Sequence, residues 1–162
     1  MAVEAAFLRA VVPLVVDRRS TSDLPRAARE IAEVARLHGV STRSLLGLTV
    51  LSCLYEDLQG NGYPIGRKIL KPKRDYGAKA AYNAISDLRH LELLIAPRLI
   101  APTSTWSLCT CDKALALLWC AASPHDAKLV DGELNFSIVF DERMFPRATT
   151  PELKRLATDE DL

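Results

Sequence analysis

The stretch RSLLGLTVLSCLYEDL constrains this chain more than any other. Wound as a helix from Ser44 to Leu58, it is apolar around most of its circumference, and Glu56 and Asp57 arrive only as the run fades. A helix of that kind belongs in a protein interior. Two further segments repeat their apolar residues near the helical period. In STSDLPRAAREIAEVARLHG, residues 20–39, Asp23 can cap, Pro25 sits in the first turn, Gly39 can end the helix, and Ala28, Ile31, Ala32, Ala35 and Leu37 recur along it. From Tyr76 to Ile95 the stripe is Ala81, Ala84, Ile85, Leu88, Leu91 and Ile95, with Pro97 as the stop.

The remaining segments are shorter. VEAAFLRAVVPLVV, residues 3–16, reads as a short helix or a buried strand; Pro13 argues against a central strand and also against an uninterrupted helix, and the helix is the preferred reading. Residues 60–75 hold three glycines and two prolines and read as a loop with a short extended piece at Lys68–Leu70. LIAPTSTWSLCT reads as loop plus a short strand, Lys113 to Ala122 as a helix, and LNFSIVF, residues 134–140, as a strand. These elements predict an α/β fold in which helices dominate: four or five helices packed on a small, mostly parallel sheet. Residues 1–147 form one globular domain, and 148–162 form a polar tail.

Charge narrows the function classes. The 21 basic and 20 acidic residues leave a formal net charge of +1, so any nucleic-acid contact requires local clustering of cations. GRKILKPKRDYGAK, residues 66–79, is such a cluster: Arg67, Lys68, Lys71, Lys73, Arg74 and Lys79, bracketed by Tyr63 and Tyr76. Lysine and arginine neutralise phosphate and tyrosine stacks on a base, so an RNA-binding loop is one reading and a solvated surface loop the other. No apolar run approaches the roughly 20 residues of a membrane span. Four cysteines in no known framework predict a cytoplasmic chain with free thiols, Cys53 and Cys120 being core residues. Cys109-x-Cys111 is too sparse for structural zinc.

VARLHGVSTRSLLGL, residues 34–48, resembles a helix-turn-helix of the type A-x-x-H-G-V-S, with Ser41, Thr42, Arg43 and Ser44 facing a DNA groove. The same pattern makes a plain helical corner, and the apolar continuation LTVLSCLY favours the corner.

Carboxylates offer a different chemistry. Hard cations take oxygen ligands and keep waters, one of which can attack phosphate. Asp17 ends the first apolar run, Glu56 ends the second helix, Asp87 lies within the third, and Asp112 precedes the fourth. Asn83, Asp87 and His90 fall at i, i+4 and i+7 and form one polar stripe. Asp112 also suits a plain N-cap, and Glu56 with Asp57 a solvated helix end. The order of these acids, with Thr110-Cys111-Asp112 before KALALL, resembles the PIN-domain ribonucleases, mainly over residues 84–118. The resemblance implies a metal-dependent endoribonuclease of the toxin or RNA-processing kind. Asp87, Asp112 and Glu56 would hold Mg²⁺ or Mn²⁺, Asp17 would join them, Asn83 would orient the phosphate, and residues 67–79 would carry RNA. The alternative is a non-catalytic module: a DNA binder at 34–48, or an antitoxin-like or immunity-like partner of another protein, with a homodimer also open.

Overall fold

The computed structural model describes residues 1–57, 63–101, 108–130 and 133–157. Seven α-helices and one two-stranded sheet account for most of them: α1 (Ala2–Val11), α2 (Leu24–Leu37), α3 (Leu45–Leu54), α4 (Ile65–Leu70), α5 (Ala78–Ile100), α6 (Lys113–Ala121), β1 (Ala122–Val130), β2 (Glu133–Phe140) and α7 (Thr150–Ala157). All ten residues of α3 are buried, so the run that reads as apolar on every side is the centre of the packing. Ser44 caps it, its hydroxyl accepting from the Gly47 amide at 3.1 Å. It packs against α2, α4 and α5, and Phe7, Leu8 and Val11 of α1, Ala28, Ile31 and Ala35 of α2, Leu70 of α4 and Leu118 of α6 belong to the same buried core. The stripe read for α5, from Ala81 to Ile95, is buried at every position.

Helix α4 comes closest to α3, at Gly66. A Cβ there would fall against Ser52 Oγ and stand 2.5 Å from the Thr49 carbonyl oxygen. Only a residue without a side chain allows two backbones to approach so near. Gly39 serves differently: at φ 62° it ends α2 in the left-handed region and turns the chain toward α3.

The expected sheet is corrected. The described strands pair antiparallel, with Val130 opposite Glu133 and Ala122 opposite Phe140, and no parallel pair occurs among them. The reason is chain length. Parallel neighbours need a crossover of a dozen residues or more, and only two residues separate these strands. The helix count also exceeds four or five. The extended piece expected at Lys68–Leu70 is the end of α4, and residues 150–157 of the polar tail form α7. Its Leu153 packs against the core, and Glu152 receives the buried Tyr55 hydroxyl at 3.1 Å. Helix α5 continues past Pro97 to Ile100. The strand expected in LIAPTSTWSLCT falls partly on residues 102–107, outside the described residues; Leu108–Thr110 are irregular.

Two smaller expectations also change. Leu37 is 74 % exposed, because α2 is ending there, and Cys120 is exposed while Cys53 is buried. Burial raises the Cys53 thiol above its ordinary value. Among the described residues no helix is long and apolar enough to cross a membrane.

Candidate nucleic-acid interface

The basic segment becomes a helix, a turn and the start of a second helix. Helix α4 ends at Lys71, whose φ of 49° puts a non-glycine residue in the left-handed region. That conformation costs an L-residue about 1–2 kcal/mol. Residues 71–77 then carry the chain to α5. Lys68, Lys71, Lys73, Arg74 and Lys79 stand exposed along this path. Lys73 lies 3.8 Å from Asp75, and Arg74 lies 3.2 Å from Asp17, all four side chains being exposed. Exposed pairs of this kind contribute little and exchange readily for a phosphate.

Arg67 is different from its five neighbours. Its Nε donates to Glu56 Oε2 at 2.9 Å, and its two terminal nitrogens donate to the Val16 and Val15 carbonyls at 3.1 and 3.0 Å. All of its guanidinium nitrogens therefore face the protein. Glu56 is 7 % exposed, and Arg67 joins the end of α3 and the chain after α1 to α4. The sequence shows Arg67 as one cation of a run; its commitment to Glu56 depends on how α3 and α4 pack.

The tyrosines are also sorted by burial. Tyr76 is buried, its hydroxyl donating to the Ala80 carbonyl at 3.4 Å, and burial pushes that phenol up to about 12. Tyr63 is 37 % exposed, and the Lys113 ammonium lies over its ring, 4.6 Å from the centroid. Tyr82, which the charge cluster does not include, is 43 % exposed on α5.

The face of α5 opposite its buried stripe is the second part of the surface. At about 100° per residue, Lys79, Tyr82, Asn83, Ser86 and His90 gather on one side, and Ala81, Ala84, Ile85 and Leu88 on the other. Lys79, Tyr82, Asn83 and His90 are exposed and Ser86 is half-buried. Asp87 is half-buried at the edge of this face. The alternative reader at 34–48 presents less: its second helix is α3, buried throughout, and of Ser41 to Ser44 only Ser41 is fully exposed.

The four carboxylates stand on different segments of the chain, and two of them share a cleft. Asp17 and Glu56 line one shallow cleft with Arg18, Arg19 and Arg147. Asp87 lies on α5. Asp112 caps α6, its Oδ1 accepting from the Ala114 and Leu115 amides at 2.8 and 3.2 Å. Asp17 pairs with Arg74 and Glu56 with Arg67. Among the described residues no three side chains of metal-binding type come together. Comparison with family models, with curated proteins and with solved structures gave no match.

Proposed function

We propose that the protein is a cytoplasmic nucleic-acid-binding module whose α4–turn–α5 unit forms the binding surface. The observation that supports this reading is the division of labour within one basic segment. Arg67 turns inward to hold the fold, while Lys68, Lys71, Lys73, Arg74 and Lys79 remain at the surface beside the polar face of α5. A chain of net charge +1 that concentrates cations on one turn has a local field suited to phosphate. The left-handed Lys71 adds to it: a strained backbone position occupied by lysine, where glycine would be more comfortable, points to a use for the charge.

The carboxylates fit this reading as structural groups. Glu56 neutralises Arg67, Asp112 caps α6, and Asp17 is an exchangeable partner of Arg74. The test is binding of duplex DNA and of RNA followed by fluorescence anisotropy at several salt concentrations. Each phosphate neutralised contributes about −0.9 to the slope of log K against log salt for duplex DNA. Replacing Lys71, Lys73 and Lys79 together by alanine should weaken binding and flatten the slope by roughly 2–3. Affinity for neither nucleic acid, or a slope unchanged in the triple variant, would remove the proposal.

A further inference from the structure

We infer that the nucleic acid is duplex DNA, and that α5 reads base edges in its major groove with Asn83 as the residue that selects adenine. The inference rests on the binding surface proposed above and adds to it the class of ligand and the origin of specificity.

Burial argues against a single strand. Sequence-tolerant binding of single strands uses aromatic rings as platforms in a basic groove. Here Tyr76 is buried and the Lys113 ammonium lies over one face of the Tyr63 ring. Tyr63 and Tyr82, 37 % and 43 % exposed, are the tyrosines that reach the surface near the basic turn among the described residues. One open ring and one with a face taken by lysine do not make a platform for successive bases. Geometry argues against duplex RNA, whose major groove is too narrow and deep for a helix to read. A helix about 10–12 Å across does fit the roughly 12 Å major groove of B-form DNA.

The outward face of α5 is built as a reader requires. Its inward positions near the start are the small residues Ala81 and Ala84, then Ile85 and Leu88, all buried, so the helix is held rigidly by the scaffold. Its outward positions carry no large aliphatic side chain from Lys79 to His90. Lys79 to Ser86 spans about 10 Å along the axis at 1.5 Å per residue, close to three base-pair steps of 3.4 Å. Asn83 stands in the middle of that span and is exposed. Its carboxamide offers one donor and one acceptor side by side, the complement of adenine N7 and N6. The exposed cations Lys71, Lys73 and Arg74 immediately precede α5 and would grip the phosphates flanking the groove, fixing the register of the helix. Asp87 lies one turn beyond Asn83 at the edge of the face, and its negative charge opposes the backbone of any sequence.

The experiment uses the full chain and a random duplex library, followed by titration of the enriched site. An enriched motif containing adenine is expected. Asn83→Ala should lower the preference for that site over a site with the adenine replaced by roughly ten-fold or more, with the salt slope unchanged. Asp87→Asn should raise affinity for all sequences alike. Lys71→Ala should lower it for all alike. Duplex binding without an enriched motif, a motif that Asn83→Ala leaves intact, or a preference for single-stranded RNA over duplex DNA overturns the inference while leaving the binding surface in place. Absence of any nucleic-acid binding overturns both.

Discussion

Replacing Arg67 by alanine tests the packing on which the binding surface stands. The side chain makes three hydrogen bonds, to Glu56 Oε2, the Val16 carbonyl and the Val15 carbonyl. Glu56 is 7 % exposed and its other oxygen, Oε1, has no hydrogen-bond partner among the described residues. Alanine would leave a buried carboxylate without the one counter-charge it pairs with among the described residues, and would take the arginine donor from two carbonyls. Breaking a buried pair by removing one member costs about 3–5 kcal/mol, because the remaining charge is uncompensated. The two carbonyls would each add up to about 1 kcal/mol, less whatever water recovers by entering beside Asp17. That total approaches the whole stability of an ordinary domain, which is about 5–15 kcal/mol. The assay is urea unfolding followed by far-UV circular dichroism, extrapolated to water. The paired variant Arg67→Met with Glu56→Leu should recover much of the loss, since a well-packed apolar replacement of a buried ion pair is often neutral. A loss below about 1 kcal/mol for Arg67→Ala would be the value of an exposed pair and would refute the reasoning. Lys68→Ala, one residue further and exposed, should leave stability unchanged.

Three other outcomes follow from particular contacts. Gly66→Ala should destabilise by at least about 1–3 kcal/mol in the same unfolding assay, since the new Cβ would stand 2.5 Å from a backbone oxygen that cannot rotate away; in an open helix the same change would stabilise by about 1 kcal/mol, so the sign decides. Asp112→Ala should cost about 1 kcal/mol through loss of the α6 cap and should leave nucleic-acid affinity unchanged, whereas a metal ligand would show Mn²⁺-dependent cleavage of RNA lost in the variant. Burial raises the Glu92 carboxyl above its ordinary value against the opposing pull of Arg89, so the folded state holds that proton to higher pH than the unfolded chain. Its contribution to stability should therefore fall as pH rises from about 4.5 through the raised value, and the difference between the wild type and Glu92→Gln in denaturant midpoint against pH measures it.

Local pattern carried the helices. The apolar spacing of α5, the Pro25 and Gly39 boundaries of α2 and the Asp112 cap all belong to interactions within a few residues, and these read directly from the chain. Of the sheet, β2 read from the alternation of LNFSIVF, but its partner did not, because β1 begins at the end of α6 as ASPHDAKLV, which has no alternating run to mark it. Helix α4 was hidden by its flanking glycines and prolines; it is six residues long, and its burial against α3 accounts for it better than propensity does. Arg67, Lys68 and Lys71 look alike as letters. Their difference comes from partners distant in sequence, Glu56, Val15 and Val16, whose nearness no spacing rule encodes.

The stripe Asn83, Asp87, His90 shows the same division at the scale of function. Helical period alone places the three on one side of α5. Which side faces water, and what lies beside it, depends on what α5 packs against. By itself the sequence determined that α3 is buried, that α5 is two-faced and that cations cluster before it, since each is a matter of residue type at short range. Tertiary structure decided that Arg67 is internal, that Tyr76 is closed to a ligand and that no three metal-binding side chains come together among the described residues. Those outcomes are set by contacts between segments far apart in the chain, where burial and charge pairing choose among side chains that local sequence leaves equivalent.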